Sequence, residues 1–226
     1  MKGKAKIFRF NPRIDKEPYY QSYEFRFEKG MTALDVLNQI YEEQDASLGY
    51  SYCCRNGHCG MCGVVINNKP VLLCKQAASP EMTIEPIKSV SVVKDLIIDR
   101  EEYERKLPKL RLFLERQCGA LKEPEPIDMG KFEKFKVASR CIECFCCVSV
   151  CTVIKSSPHT FKGPTAYALE ARHYFDPRDE QNRGLMLKSE GIELCIQCNA
   201  CSRVCPHNVD PAGLIRLMKA DIKNTN

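Results

Sequence analysis

Two short cysteine motifs lie in the second half of the chain. The first reads CIECFCCVSVC from residue 141, and the second reads CIQCNACSRVCP from residue 195. Both contain the C-x2-C-x2-C-x3-C spacing of bacterial ferredoxins, in which three cysteines hold one cubane iron–sulfur cluster and the fourth ligates the other cluster. The spacing therefore predicts two cubane clusters that exchange their last cysteines.

This exchange rule assigns eight cysteine ligands to two clusters. One cluster is predicted on Cys141, Cys144, Cys147 and Cys205, and the other on Cys195, Cys198, Cys201 and Cys151. Zinc is the alternative, because zinc sites also combine C-x2-C pairs into sets of four thiolates. Zinc gives no reason for the repeated eight-cysteine arrangement, so the spacing favours clusters.

A third cysteine group precedes these motifs. The C-x4-C-x2-C spacing of plant-type two-iron ferredoxins is present at Cys54, Cys59 and Cys62, and Cys74 supplies a fourth thiolate. Glycines interleaved with these cysteines let backbone amides approach the sulfur atoms. The group therefore predicts a 2Fe–2S cluster.

The elements around the two-iron group are predicted from periodicity. Alternating, aromatic-rich patterns at residues 4–10 and 20–27 predict a β-hairpin. Thr32 is placed to cap a helix whose apolar residues Leu34, Leu37, Ile40 and Tyr41 fall on one face.

A second hairpin is predicted to turn at Asn67 and Asn68, and residues 82–86 form one more short strand. Together these elements predict a small ferredoxin domain of the β-grasp type, with the cysteine loop between its helix and its second hairpin.

The composition changes from Ser89 onward. Residues 91–117 are predicted to be mostly helical, with an interruption at Pro108. Later helices are predicted in the stretch that ends at Pro177 and from Pro211 to the C-terminal region. The prediction is an α+β chain with a plant-type 2Fe–2S domain at residues 1–105 and an α-helical domain with two cubane motifs at residues 106–226.

The composition restricts the class of protein. The 226 residues include 15 cysteines in metal-ligand spacings, which indicates a reducing compartment. No secretory signal and no apolar run of about 20 residues is found, so a soluble chain, or one peripheral to another subunit, is expected. The formal charge of +5 falls toward zero when three clusters of roughly −2 each are counted, and nucleic acid is not predicted as a partner. The chain has no dinucleotide fingerprint or P-loop, so its predicted chemistry is one-electron relay.

Some residues near the motifs are predicted to have other roles. The remaining cysteines, Cys53, Cys118 and Cys146, are expected to be small buried hydrophobic residues. Arg55, beside Cys54, is open to two interpretations: it tunes the cluster or contacts a partner protein, or it forms a structural ion pair.

The combination of a plant-type domain with a doubled cubane domain resembles the iron–sulfur subunits of succinate dehydrogenase and fumarate reductase. The resemblance covers nearly the whole chain and includes CCRNGHCGMC, VVKDLIIDREEY, CIECFCC, GPTAYALEARHYFDPRD and CIQCNACSRVCP. It implies an electron-transfer subunit that connects an FAD-containing flavoprotein to a membrane-anchor partner through a 2Fe–2S, a 4Fe–4S and a third cluster. The expected location is the cytoplasmic face of the cell membrane, through these partner subunits.

The chain departs from most members of this family near the third cluster. Most relatives have an aliphatic residue at the position of Cys198 and hold a 3Fe–4S cluster there, whereas this chain can fill the fourth corner of a 4Fe–4S cluster. Thr152 replaces the usual proline after Cys151, Ile196 replaces a frequent histidine, and the chain has no tryptophan. Branches with an extra cysteine and a non-heme partner subunit are more similar.

Three functions therefore stay open at the level of sequence. The first is electron transfer to a quinone within a dehydrogenase or reductase complex. The second keeps the same clusters but passes electrons to a thiol or heterodisulfide partner with CCG motifs, since the cubane domain also resembles small heterodisulfide reductase subunits. The third is a free-standing ferredoxin-like carrier, which would not need a second ferredoxin domain.

Overall fold

A computed structural model describes most of the chain. It covers residues 1–105, 107–116, 125–157 and 159–224, apart from the side chains of Glu102 and Asn224. In the part of the chain so described, no helix is long and apolar enough to cross a membrane.

The chain forms two compact units that do not follow chain order strictly. The first contains Met1–Tyr103 and Ile142–Val150, and the second contains Glu104–Cys141 and Cys151–Asn226. Most of the first cubane motif thus belongs to the unit that holds the two-iron cysteines. The division into domains at residue 105 stays a prediction.

The first unit is built on a five-stranded sheet. Strands β1 (Lys2–Arg9) and β2 (Tyr19–Arg26) are antiparallel, as the sequence predicts. The hairpin of β3 (Gly63–Ile66) and β4 (Lys69–Leu72) is also confirmed. Strand β5 (Glu81–Glu85) lies parallel to β1 and antiparallel to β3, which gives the order β2-β1-β5-β3-β4.

Local chemistry explains the turn and the helix that flank the cysteine loop. Asn67 and Asn68 have φ values of 48° and 65°, which a two-residue turn with both central residues left-handed requires. Helix α1 (Ala33–Glu43) begins at a capping box in which Thr32 and Asp35 satisfy each other's backbone N–H groups. These features confirm the predicted turn and the predicted cap.

The apolar face of α1 is only partly buried. Leu34, Leu37 and Ile40 are buried, but Tyr41 is 42% exposed and its ring packs edge-on against Tyr50. Tyr41 follows Leu37 by four residues, so it shares the predicted face, but it lies in the last turn of α1.

Residues 91–99 correct a larger prediction, because they are not helical. Strands β6 (Val92–Lys94) and β7 (Ile97–Ile98) form a two-stranded sheet, and only the five residues of helix α2 (Arg100–Glu104) are α-helical. A 3-10 turn follows at Pro108–Leu110. The predicted helix continues to residue 117, which lies outside the described residues.

A buried turn residue explains the hairpin. Asp95 is 2% exposed and has φ of 49°. Its carboxylate accepts hydrogen bonds from the side chain of Arg9 (3.1 Å) and from the backbone N–H groups of Phe10 (2.9 Å) and Gly49 (2.8 Å). These tertiary bonds favour the turn over a helix that the local sequence also allows.

Short helices make up most of the second unit, which agrees with the helical pieces predicted around the cubane motifs. Among the described residues, the further α-helices are α3 (Met129–Ala138), α4 (Cys146–Ser149, in the first unit), α5 (Thr152–Ser156), α6 (Pro164–Tyr174), α7 (Arg183–Ser189), α8 (Ala200–Arg203) and α9 (Pro211–Asn224). Helix α6 packs against α3 and α9. The helix predicted from Pro211 and the helix predicted to end before Pro177 are both confirmed.

A buried ion cluster stabilises the second unit. Arg183 is 3% exposed and donates to Glu170 Oε1 at 3.1 Å and to Asp179 Oδ2 at 2.7 Å. It also donates to the carbonyl groups of Arg111 and Phe113. Glu170 Oε2 has no hydrogen-bond partner among the described residues, and burial raises the pKa of this carboxyl group to about 8 despite the arginine beside it.

Candidate metal centres

The loop between α1 and β3 directs backbone amides at the sulfur of Cys54. The N–H groups of His58 and Cys59 donate to Cys54 Sγ at 3.2 and 3.3 Å. Hydrogen bonds from backbone N–H groups, with that of Asn56 the strongest influence, lower the pKa of the Cys54 thiol to about 6. A thiolate is the form that binds iron, so the loop prepares Cys54 as a ligand.

The other side of this site is buried. The Sγ atoms of Cys62 and Cys74 lie 3.5 Å apart, with the Cys62 thiol donating to Cys74. Burial raises the pKa of Cys62 to about 12, and its side-chain hydrogen bond to Cys74 acts in the same direction. A bound metal replaces both protons, so these two thiols fit a metal centre better than an apolar core.

The first cubane motif packs against this loop within the same unit. A Cβ atom on Gly60, which has φ of 72°, would lie 2.0 Å from the carbonyl oxygen of Ile142. A Cβ on Gly63 would lie 2.4 Å from the carbonyl oxygen of Cys144. The glycines of the two-iron loop therefore permit a close backbone contact with residues 142–144, in addition to their role near the sulfurs. Sequence reasoning missed this contact because it joins positions about 80 residues apart.

The two cubane motifs share an unusual backbone conformation. Glu143 and Phe145 in the first motif have φ values of 55° and 61°, and Gln197 and Asn199 in the second have 56° and 58°. None of these residues is glycine, so each is held in a left-handed conformation at some cost. Alternating left- and right-handed residues turn successive N–H groups inward, which makes a concave site for anionic groups such as iron–sulfur clusters.

The cysteines predicted for the middle cluster are assigned to different units. Cys144 and Cys147 are in the first unit, and Cys141 and Cys205 are in the second. A hydrogen bond from the Cys146 side chain is the main cause that lowers the pKa of the Cys144 thiol to about 7, and Arg100 acts in the same direction. The sulfur of Cys205 accepts a hydrogen bond from the N–H of Val209 at 3.4 Å.

The cysteines predicted for the third cluster come together in the second unit. Cys151, Cys195, Cys198 and Cys201 line one cavity, whose apolar wall includes Phe161 and Ile215. Burial raises the pKa of Cys151 and raises that of Cys201 to about 11. Cys198 differs from the other three because it is exposed.

The chemistry of these cysteine sets fits iron–sulfur clusters. The three predicted donor sets consist of sulfur alone, as the clusters of ferredoxins require. Zinc sites also accept four thiolates, and the paired C-x2-C-x2-C-x3-C spacing is what favours clusters here.

The predictions for the cysteines outside these sets were confirmed in one case and wrong in another. Cys146 is buried, as predicted, whereas Cys53 is exposed, so the prediction of a buried Cys53 was wrong. The neighbouring Cys54 differs in that its sulfur accepts hydrogen bonds from backbone N–H groups of the loop, a difference that composition does not predict. Cys118 lies outside the described residues. Arg55 lies over the Tyr52 ring at 5.2 Å, a cation–π contact that the sequence analysis did not consider.

Comparison with known proteins agrees with both halves of this description. Residues 4–105 match a family described as "2Fe-2S iron-sulfur cluster binding domain", and residues 137–209 match "4Fe-4S dicluster domain". The fold resembles a chain of the Mycobacterium smegmatis Sdh1 complex in the apo form, with a TM-score of 0.86 and 22% identity over 100% of this chain and 97% of that chain.

Three relatives are similar along most of this chain. The fumarate reductase iron-sulfur subunit of Mycobacterium tuberculosis is 32% identical over 94% of this chain and 90% of its own length. The corresponding subunit of Haemophilus influenzae is 31% identical over 96% of this chain and 91% of its own length. A subunit of the fumarate reductase (CoM/CoB) of Methanothermobacter marburgensis is 35% identical over 92% of this chain, which spans only 42% of that longer relative.

The fold and the cysteine sites define an iron–sulfur electron-transfer protein with a 2Fe–2S domain and a 4Fe–4S dicluster domain. More specifically, the chain belongs to the family of iron–sulfur subunits of fumarate reductase and succinate dehydrogenase. The predicted class of fold and the suspected family are thereby confirmed.

Proposed function

We propose that this chain relays electrons between a flavoprotein subunit that acts on a dicarboxylate and a quinone-linked partner, within a succinate dehydrogenase or fumarate reductase complex. The observation that carries the proposal is the presence of three four-cysteine sets in a chain that matches fumarate reductase iron–sulfur subunits over 94% and 96% of its length. A series of one-electron centres is what such a relay requires.

Twelve cysteines are assigned as ligands. They are Cys54, Cys59, Cys62 and Cys74 for a 2Fe–2S cluster, Cys141, Cys144, Cys147 and Cys205 for the middle 4Fe–4S cluster, and Cys151, Cys195, Cys198 and Cys201 for the third cluster. Adjacent sulfurs support the first set, and a shared cavity supports the third. The exchange of fourth cysteines between paired motifs supports the middle set.

The third cluster is proposed to be 4Fe–4S. Cys198 is the second cysteine of an unbroken motif, and it lines the same cavity as Cys151, Cys195 and Cys201. Its backbone carbonyl accepts a hydrogen bond from Arg203 at 3.2 Å, which fixes the loop around it. The alternative is a 3Fe–4S cluster with Cys198 as a free exposed thiol.

The residues of the chain prepare and tune these sites. When bound, the clusters supply one-electron oxidation and reduction. Backbone N–H groups near Cys54 and Cys205 donate to sulfur, which stabilises negative charge there. Burial of Cys62, Cys74 and Cys201 excludes water from the sulfur atoms. Ligands, hydrogen bonds and burial together set the potentials.

A thiol or heterodisulfide acceptor is the second candidate. The 35% identity with the Methanothermobacter marburgensis relative favours it, because the name of that relative includes CoM/CoB. Ile196, Thr152 and the absence of tryptophan also separate this chain from the quinone-linked pattern described above. In this case the partner at the third cluster is a CCG-type subunit instead of a membrane anchor.

The proposed location follows from the proposed partners. Many free thiolates require a reducing compartment, which in this case is the cytoplasm. A membrane-anchor subunit would hold the chain on the inner face of the cell membrane. A complex with a CCG-type partner would not need to lie at the membrane.

The complex purified without air from cells that produce a tagged chain tests the proposal. We expect about ten irons per chain, with matching acid-labile sulfide, and a co-purifying FAD protein. Addition of a dicarboxylate substrate should reduce the clusters. A quinone and a disulfide supplied separately as acceptors then distinguish the two candidates. Four or five irons would contradict the three-cluster assignment, and a chain purified without a flavoprotein would support the free-standing carrier instead.

Two neighbouring cysteines supply a matched pair for the same experiment. Cys54→Ala should abolish the 2Fe–2S signal in electron paramagnetic resonance (EPR) spectra, keep the cubane signals, and stop reduction through the flavoprotein. Cys53→Ala should leave all signals intact, because Cys53 is exposed and outside the ligand set. Loss of every signal in Cys54→Ala would show that the clusters do not assemble independently.

A further inference from the structure

The side chain of Gln197 contacts a proposed ligand of the third cluster. Its Nε2 atom donates a hydrogen bond to Cys195 Sγ at 3.4 Å. The left-handed backbone of Gln197, with φ of 56°, turns this side chain back toward the residue two positions earlier. This short-range contact lies inside the cysteine motif, in a position where the sequence pattern assigns no role.

The other end of the same carboxamide has no partner. Gln197 Oε1 is buried and accepts no hydrogen bond within the described part of the chain. Of the two orientations of the carboxamide, only the one with N–H toward sulfur attracts a thiolate, because oxygen and sulfur are both acceptors. A buried acceptor without a partner costs free energy, so this orientation of the Gln197 carboxamide keeps the contact with sulfur but leaves its own oxygen unsatisfied.

A cation holds the backbone of the same cysteine. Lys219 Nζ donates to the carbonyl oxygen of Cys195 at 3.2 Å and to that of Glu193 at 3.1 Å. Cys195 is therefore fixed by one donor at its carbonyl group and by another at its sulfur. The sulfur contact can be removed without disturbing the carbonyl contact, because different side chains make them.

The equivalent residue of the first motif has the opposite character. Glu143 and Gln197 stand at the same place in the two motifs and have φ values of 55° and 56°. One side chain brings a carboxylate and the other a neutral donor. A hydrogen bond to a ligand sulfur stabilises the reduced, more negative state of a cluster and raises its potential, whereas a nearby carboxylate lowers it.

We propose that Gln197 is a positioning residue that orients Cys195 and raises the reduction potential of the third cluster through its hydrogen bond to Cys195 Sγ. The inference rests on the proposed function, since it requires Cys195 to be a cluster ligand. The thiolates around this cluster favour its more oxidised state, and the N–H group of Gln197 offsets part of that effect. The acceptor end of the relay is then kept at a higher potential than the motif alone would provide.

Redox titration of the anaerobically purified complex, followed by EPR, tests the inference. Gln197→Met keeps the length of the side chain but removes the donor, and Gln197→Glu keeps the shape but replaces the donor with a carboxylate. In Gln197→Met we expect the equilibrium constant for one-electron reduction of the third cluster to fall on the order of tenfold. This corresponds to a decrease of about 59 mV in its reduction potential. Gln197→Glu should lower it further, and the other two clusters should be unchanged in both variants.

Glu143→Gln is the matched control at the same backbone position of the first motif, and it should leave the third cluster unchanged. An unchanged third potential in Gln197→Met, with a full iron content, would overturn the inference alone. An equal shift of all clusters, or a loss of iron in both Gln197 variants, would assign a merely structural role to Gln197 and also overturn it. A wild-type chain without a third cluster would overturn the proposed function and the inference together.

Discussion

The two cubane motifs have the same backbone but different surroundings. Phe145 and Asn199 occupy the same left-handed position before helices α4 and α8, with φ of 61° and 58°, and both helices end at a valine with φ of −101°. Phe145 is fully buried, its ring 4.8 Å from that of Tyr103 and under the guanidinium of Arg100. Asn199 is exposed.

The cysteines at the second position differ in the same way. Cys144 is 8% exposed, whereas Cys198 is an exposed residue beside Ile196, which is 65% exposed. Spacing therefore determines how the chain wraps a cluster, and the residues between the cysteines determine how much of the site faces solvent. The first motif is part of a core, and the second leaves one corner of its site open.

The largest effect on stability is expected at the position where the motifs differ most. Phe145→Ala should lower the free energy of unfolding by about 3–5 kcal/mol, because it removes a buried aromatic ring and leaves a cavity. Asn199→Ala places the same residue on the same left-handed backbone and should cost about 1 kcal/mol. Urea unfolding of the two holoprotein variants without air measures the difference. Equal losses would show that burial does not distinguish the motifs.

The contact between the first motif and the two-iron loop predicts a smaller loss. Gly60→Ala should lower the free energy of unfolding by about 2–3 kcal/mol and weaken the 2Fe–2S EPR signal, because its Cβ would lie 2.0 Å from the Ile142 oxygen. Gly30 is the control: it has φ of 96° with open space around it, so Gly30→Ala pays only for backbone strain, about 1 kcal/mol. Identical behaviour of the two variants would contradict the close packing.

The unit that carries the second motif should respond to pH through Glu170. The pKa of this group is raised from 4.5 to about 8 in the folded chain, mainly by burial. Its contribution to stability is complete below about pH 4.5 and is lost as the pH rises through about 8, with a slope of at most 1.4 kcal/mol per pH unit. Arg183, Asp179 and Glu115 are the charged groups that act on it.

Glu170→Gln should remove this slope, because glutamine resembles the protonated acid and keeps an oxygen for Arg183. The difference in stability between the variant and wild type should therefore shift in favour of the variant as the pH rises from 6 to 8.5. Urea midpoints of both proteins, measured without air at pH 6 and at pH 8.5, would show this shift. The same pH dependence in both proteins would mean that Glu170 is ionised throughout this range.

The smallest predicted effect is a change in iron content at Cys198, the exposed cysteine of the second motif. Cys198→Val should remove about one of ten irons and create an oxidised 3Fe–4S EPR signal where none existed, because one iron loses its ligand. Cys146→Ala, a buried cysteine outside the ligand set, should leave the iron content unchanged. A wild-type protein that already shows a strong 3Fe–4S signal, unchanged by ferrous iron and reductant, would exclude Cys198 as a ligand.

Features that depend on short-range spacing could be predicted from the sequence. The cysteine intervals predicted a 2Fe–2S domain and a 4Fe–4S dicluster domain, the Thr32 cap and the Asn67–Asn68 turn predicted local elements, and Pro211 marked the start of α9. Each of these depends on residues a few positions apart, whose geometry is fixed by the local backbone. The class of fold and the family followed from the same local patterns.

Features that depend on contacts between distant residues could not be predicted in this way. Residues 91–99 became a hairpin because Arg9 and two distant amides satisfy the buried Asp95, although the local sequence also allowed a helix. The burial of Cys144 and the exposure of Cys53 and Cys198 likewise depend on neighbours far away in the chain. Spacing cannot report such contacts, because burial and hydrogen-bond partners are properties of the packed chain, and they decide which of several locally allowed conformations has the lowest free energy.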